Sequence, residues 1–365
     1  LLGPAGHLTG NIAFRATEIP QANLVDVHGM HFCHGIDGRL VQGLVDLRSR
    51  ATHHRHADAE SVGHRDVPRD ALRRAFIIGD PVAHSRSPMI HGYWLKKHAI
   101  AGSYEPVRVV PDELPSFAER LKYGEAGFVG SNVTIPHKQA VSLLCDELSP
   151  LAQRLGAVNT MIPLPNGGWQ GHNTDVEGFL APLLHNNGDW NGTRTVVLGC
   201  GGSARAVVAG LQDLNPSEIT IVGRRAETLQ PFCSDLQQGR PANSIQLLPL
   251  LDNDPQLQTL IKKADLVVNT TPIGMSSHQP DQGPVLPLGV DIWNNLTAHT
   301  VLYDLIYTPR PTPWLQRGEA LGCRTYDGLE MLVQQGAAAL RCWSGMDEVP
   351  VDAMREAALK NLSHP

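Results

Sequence analysis

Two observations predict an α/β chain of two domains. From Arg74 onward, short β-rich runs alternate with helical patterns, as in a mostly parallel sheet flanked by helices. Near the middle of the chain, an apolar strand runs directly into a glycine-rich turn and an Ala-rich helix. A length of 365 residues with 42% hydrophobic side chains supplies a core for each domain. The first domain is expected over residues 71–173, an α/β unit with a mostly parallel sheet, and the second, of Rossmann type, over residues 174–328. A helix near 329–345 is expected to cross back to the first domain.

In the first domain the candidate strands are Ala75–Gly79, Tyr104–Val110, Gly127–Val133 and Val158–Pro163. Helices are expected from Ser87-Pro88, where proline suits the first turn, from Asp112 to Lys122, and from Pro136 to Leu144. Pro165-Asn166-Gly167-Gly168 is a turn signal that predicts a hairpin joining Met161–Pro163 to Trp169–His172. Thr174-Asp175-Val176-Glu177 reads as a capping box, so a helix starts there and runs toward Asn186-Asn187-Gly188. Strands at Thr195–Leu198, Ser217–Val222, Leu266–Asn269 and Val301–Leu305 then follow at spacings that suit parallel crossovers. Residues 1–70 carry eight of the seventeen histidines, no lysine and little periodicity, and are expected to be a disordered or dispensable extension. His53, His54 and His56 cluster within it, but their spacing alone does not define a metal site and no cysteine or carboxylate constellation accompanies them, so no metal is expected.

The turn is Gly199-Cys200-Gly201-Gly202-Ser203-Ala204. Glycines let the backbone approach a pyrophosphate, whose charge then rests on amides at the helix start. The spacing departs from G-x-G-x-x-G, yet the strand and helix that the fingerprint requires are both present. The next strand should end near the adenosine ribose, where an NAD enzyme places an acid; here stands Gly223-Arg224-Arg225. Two guanidinium groups suit a 2'-phosphate, so NADP is the expected cofactor of this Rossmann-type NADP-binding domain.

Ser131-Asn132-Val133-Thr134-Ile135-Pro136-His137-Lys138 ends a strand in polar side chains and starts a helix at a proline, placing Thr134 and Lys138 at the carboxyl edge of the sheet, where ligands bind. A lysine there can protonate a carbonyl oxygen as hydride reaches its carbon. Asn159 and Asp175 are further polar groups at element ends, and Asp175 also favours the dipole of its own helix.

These segments resemble the signature blocks of the shikimate dehydrogenase family, as do Gly79 to Pro88, Asn269 to Met275, Tyr303 to Tyr307 and Asp327 to Gln335, in unbroken order from Ala75 to Gly345. The resemblance implies reversible NADPH-linked reduction of 3-dehydroshikimate to shikimate, with Lys138 and Asp175 as the catalytic pair. It implies that Ser85 and Ser87 bind the substrate carboxylate, that Thr134 and Asn159 fix ring hydroxyls, and that Tyr307 and Gln335 reach the substrate. Cofactor contacts are implied for Gly199, Cys200, Gly201, Gly202, Ser203, Gly223, Arg224, Arg225, Thr271, Leu305 and Gly328. The family's usual Asn-Arg-Thr is Gly223-Arg224-Arg225 here, which keeps the phosphate-binding arginine and loses its polar flanks. A quinate/shikimate dehydrogenase with relaxed cofactor use shares these blocks, but an acid after Val222 would have favoured it. A non-catalytic NADP-binding regulator is expected to lose Lys138 or Asp175, and both stand.

Thirty basic against 36 acidic side chains give a net charge of -6, which leaves no field for a nucleic acid partner. Six scattered cysteines form no C-x-x-C pair, no apolar run reaches membrane-spanning length, and the opening residues do not resemble a signal peptide. The expectation is a cytoplasmic monomer or homodimer that meets a small-molecule substrate and no membrane, with hinge closure bringing substrate and cofactor groups together.

Overall fold

The computed structural model describes residues 73–122, 128–185, 188–238, 245–275 and 286–360. The extension to residue 70, with His53, His54 and His56, lies outside the described residues, as do Gly127, Asn186 and Asn187.

The first sheet comprises β1 (Arg73–Gly79), β2 (Gly102–Arg108), β3 (Phe128–Val133), β4 (Glu147–Leu148), β5 (Thr160–Pro163) and β6 (Trp169–His172), in spatial order β2-β1-β3-β5-β6-β4. Strand β1 pairs in parallel with β2 and β3, and β4 with β6, while β5 runs antiparallel to β3 and β6. The predicted hairpin is the β5–β6 pair, closed at Pro163 opposite Trp169. Its helices are α1 (Ser87–Lys97), α2 (Leu114–Lys122), α3 (Lys138–Ser142) and α4 (Pro150–Leu155). Helix α4 shows why such short helices start and stop where they do. The Ser149 hydroxyl accepts from the Ala152 amide, Pro150 fills the first turn, and Gly156 ends the helix at φ 57°.

Helix α5 (Asp175–His185) leads to a second sheet of β7 (Arg194–Leu198), β8 (Glu218–Gly223), β9 (Leu247–Leu251), β10 (Leu266–Asn269), β11 (Val301–Asp304) and β12 (Arg324–Tyr326). Its order, β12-β11-β10-β7-β8-β9, is parallel throughout and is the doubly wound dinucleotide-binding arrangement. The strand order reverses between β7 and β10, which is where such sheets open a crevice for a ligand. Around it lie α6 (Gly202–Asp213), α7 (Ala226–Gln237), α8 (Leu257–Lys263), α9 (Val290–Trp293) and α10 (Pro313–Ala320). The chain ends in α11 (Leu329–Ser344) and α12 (Val351–Lys360).

Helix α11 packs on the first sheet. Leu329, Val333, Ala337, Leu340 and Trp343 share a core with Ala75, Ile77, Ile90, Trp94 and Tyr104. The Trp343 indole donates to the Met161 carbonyl at 3.1 Å. It lies so close to β3 that a Cβ on Gly130 would fall 2.2 Å from its Nε1. Removing such an indole costs about 3–5 kcal/mol. On the opposite side Met331 joins the core of the second sheet, where Phe179 of α5 stacks on Tyr303 of β11 with ring centres 5.1 Å apart.

Several boundaries differ from the sequence expectations. Strand β2 starts at Gly102 and ends at Arg108, with a 3₁₀ turn at Pro111–Glu113 before α2; Pro106 is tolerated because β2 is an edge strand. Val158 and Asn159 precede β5, where their amides bond to Lys138 and His172 carbonyls. Only Lys138–Ser142 of the expected 136–144 helix is helical. The edge strands β4 and β12 carry too few residues for a periodic pattern to reveal them, and β9, Leu247–Leu251, is a leucine run broken by Pro249 that shows no alternation. The Thr174–Glu177 capping box does not close: the Thr174 hydroxyl bonds to Asn159, the Asp175 amide donates to Asn173 Oδ1 at 3.0 Å, and Glu177 pairs with Arg341 of α11.

Candidate active site

Strand β3 ends at the carboxyl edge of the first sheet, and α3 turns Lys138 from there toward the second. Its Nζ lies 2.5 Å from Asp175 Oδ2 at the start of α5, and both residues are more than nine-tenths buried. Two charges so far from water survive only as a bonded pair, because either one alone would be strongly destabilising. The same ammonium lies 3.3 Å from the Ser203 hydroxyl on α6. A Cβ on Gly202 would stand 3.1 Å from that of Lys138, so the glycine loop and the lysine are already in contact.

Asn159 is turned toward this pair. Its Nδ2 donates to Asp175 Oδ1 at 2.8 Å and to Thr174 Oγ1 at 2.9 Å, and its Oδ1 accepts from the Thr174 amide at 2.8 Å. The backbone amide can only donate, so the orientation of the side chain is fixed. Ser85 lies on the turn between β1 and α1 and Ser87 opens α1, where the Ser87 amide donates to Ser85 Oγ at 3.3 Å. Tyr307 sits against this turn: burial pushes its hydroxyl up in pKa, partly offset by the Arg86 amide and charge. Thr134 follows β3, its amide bonded to the Ile78 carbonyl. Gln335 of α11 packs beside Gly178 of α5, but its amide folds back onto the Leu332 carbonyl at 2.8 Å.

The crevice at the strand reversal is a cavity of about 580 Å³. Nine residues singled out in the sequence line it: Gly199, Cys200, Gly201, Gly202, Ser203, Gly223, Arg224, Arg225 and Thr271, with Lys138 at its edge. Gly199 has φ 105°, and a Cβ there would lie 2.6 Å from Thr270 Oγ1, so the tight turn requires glycine. Among the described residues Arg224 has no ion-pair partner, and Arg225 makes only an exposed 4.0 Å contact with Glu227. Leu305 and Gly328 are outside this lining; they meet each other where a Cβ on Gly328 would strike the Leu305 carbonyl. A second cavity, about 40 Å³ beside His91, Trp94 and Trp343, is too small for a nucleotide.

The sequence reading did not find Thr228 or Asp252, which also line the large cavity. Asp252 follows β9, so no motif spacing connects it to Arg224; only the lateral strand pairing does. Nor did it find Asp304, the polar anchor of the loops after β10 and β11. This buried carboxylate accepts from Asn269 at 3.0 Å, the Ile306 amide at 3.1 Å and Thr312 at 2.8 Å. Burial raises its pKa to about 6 against the opposing effect of those donors, and Asp327 adds to the rise.

A dinucleotide crevice facing a buried lysine–aspartate pair defines the class: an α/β oxidoreductase that works with a pyridine nucleotide. Family models agree in each region: shikimate dehydrogenase substrate binding domain over residues 77–161, saccharopine dehydrogenase NADP binding domain over 195–277, and shikimate 5'-dehydrogenase C-terminal domain over 328–359. The chain belongs to the shikimate dehydrogenase family, being 46% identical over 286 residues to the shikimate dehydrogenase (NADP(+)) of Synechocystis sp., a match covering 78% of this chain and 94% of that protein.

Solved structures give the same answer. A shikimate 5-dehydrogenase from Thermus thermophilus in complex with NADP(H) and shikimate is 30% identical with a TM-score of 0.66, covering 79% of this chain and 99% of its own. One from Listeria monocytogenes in complex with shikimate and NAD is 26% identical with a TM-score of 0.67, covering 78% and 96%. Among the described residues no helix is long and apolar enough to cross a membrane.

Proposed function

We propose that this chain is an NADP-dependent shikimate dehydrogenase that reversibly reduces the ketone of 3-dehydroshikimate to the alcohol of shikimate. The observation that carries the reading is the buried Lys138–Asp175 pair set directly against the glycine loop, 2.5 Å within the pair and 3.3 Å from Lys138 Nζ to Ser203 Oγ. Residues 71–173 with the helix near 329–345 form the substrate-binding domain in this reading, and residues 174–328 the cofactor domain.

The residues present fit NADP. Amides at the α6 N-terminus suit the pyrophosphate, and Arg224, free of an ion pair among the described residues, suits the 2'-phosphate, aided by Arg225. Gly223, Thr271, Leu305 and Gly328 shape the remaining surface. When bound, the cofactor supplies hydride to the carbonyl carbon. Lys138 donates a proton to the carbonyl oxygen, so that the ketone gains one hydride and one proton and becomes the alcohol. In the reverse direction Lys138 receives that proton. Asp175 keeps the lysine in place and accepts from a substrate hydroxyl. Ser85 and Ser87 hold the carboxylate, Tyr307 closes over it, and Thr134, Asn159 and Gln335 meet ring hydroxyls, Gln335 after its amide leaves the Leu332 carbonyl. All these groups come from one chain, so a monomer suffices, and a cytoplasmic setting suits the free thiols among the described cysteines.

Initial rates with shikimate or quinate, each with NADP or NAD, test the assignment. Shikimate with NADP is expected to give the highest kcat/KM. Equal rates with quinate or NAD would move the chain to the relaxed quinate/shikimate class; cofactor binding without any turnover would make it a regulator.

A further inference from the structure

The geometry points to Thr160 as a positioning residue for the proton-transfer pair, acting through Asn159 at the end of a buried hydrogen-bonded chain that starts at Tyr104. This rests on the roles proposed above for Lys138 and Asp175. Thr160 opens β5, Asn132 lies on β3 and Tyr104 on β2, and their relative exposures are 0%, 3% and 8%.

The direction of each bond is forced. Asn132 Nδ2 lies 3.2 Å from the Asn159 carbonyl oxygen, which can only accept, so Asn132 Oδ1 faces the other way and accepts from the Tyr104 hydroxyl at 2.7 Å. The same Nδ2 donates to Thr160 Oγ1 at 3.2 Å. Thr160 has one proton to give, and the nearer acceptor is Asn159 Oδ1 at 2.9 Å rather than Thr174 Oγ1 at 3.4 Å. Asn159 Nδ2 then donates to Asp175 Oδ1 at 2.8 Å, while Lys138 holds Oδ2. At each step from Tyr104 onward one donor points along the chain toward the aspartate. Aligned bonds polarise one another in a low-dielectric interior, and a chain that ends on an anion gains most from this.

A merely structural role explains the arrangement poorly, because apolar side chains of the same shape would fill these sites at no greater cost. The far end of the chain is also sensitive to the substrate loop: burial raises the Tyr104 hydroxyl well above its ordinary pKa, and the Ser87 side chain opposes that rise. The chain therefore joins the proposed carboxylate seat to the proposed proton-transfer pair. The Thr174 amide fixes which face Asn159 presents, Thr160 adds a second donor that braces the same Oδ1, and Asn159 sets where the Asp175 charge lies relative to Lys138.

Steady-state kinetics of Thr160→Val, Thr160→Ser, Tyr104→Phe and the Thr160→Val/Tyr104→Phe double variant test this, with thermal melts alongside. Thr160→Val keeps the shape and loses the hydroxyl: kcat is expected to fall about tenfold while the KM for shikimate changes by less than about threefold. Thr160→Ser, which keeps the hydroxyl, should recover most of the rate. Tyr104→Phe should lose less, and the double variant should be no slower than Thr160→Val because the chain is already broken. Unchanged kcat in Thr160→Val, equal losses in the Val and Ser variants, or additive losses in the double variant would overturn the inference. If Thr160→Val does not fold, Thr160→Ser near parent activity and Tyr104→Phe slowed at unchanged KM support it, and the opposite result rejects it. Parent activity with shikimate reports separately on the function: an inactive parent ends both readings, an active parent with an indifferent Thr160→Val ends this one alone.

Discussion

The proton-transfer role proposed for Lys138 rests on what surrounds it. A solvated lysine would be a poor proton donor to a bound ketone because water competes for every contact; this one is buried against Asp175 and next to the glycine loop. Arg224 lines the same cavity and has no ion-pair partner among the described residues. Arg224→Ser is expected to weaken NADP binding by about ten- to hundredfold and leave NAD binding nearly unchanged. Titration of both cofactors checks this, and parallel losses would show that Arg224 does not read the 2'-phosphate. Lys138, Asp175 and the glycine loop were legible because each sits in a local string of a few residues. Asp252 and Asp304 were not, since their partners are brought together only by lateral strand pairing and by a loop that folds over the end of β11.

Among the elements, the loops after β10 and β11 depend on that Asp304 carboxylate. Its folded pKa, about 6, lies above the ordinary 3.8. Between these values the folded state binds more protons than the unfolded one, so the Asp304 contribution is present below the lower value and is lost as pH rises through the upper one. Asp304→Asn imitates the protonated form. Its Tm relative to the parent should therefore rise between pH 5 and pH 7.5, and a difference independent of pH would refute the buried, raised carboxylate. Element ends were the weakest part of the sequence reading. The 174–177 pattern had the composition of a capping box, but Thr174 and Glu177 are recruited by Asn159 and Arg341, partners that are distant in sequence. Helix α3 is shorter than expected because residues 135–137 form a turn closed by the His137 amide on the Thr134 carbonyl.

Across the whole molecule, the alternation of strand and helix patterns was enough to foresee two α/β sheets, since parallel crossovers leave a long-range rhythm in the chain. The very short edge strands β4 and β12 leave none, nor does the Pro-broken leucine run of β9, so these three emerged only from the structure. The path of α11, packed on the first sheet through Trp343 while Met331 joins the core of the second, ties the two sheets twice. The central claim is that Lys138 moves the proton. Its most direct test is Lys138→Ala, with shikimate binding measured by calorimetry and turnover measured on the same preparation. The account predicts that shikimate still binds while kcat falls by about 10²- to 10⁴-fold; near-parent turnover, or turnover lost only in proportion to lost binding, would contradict it.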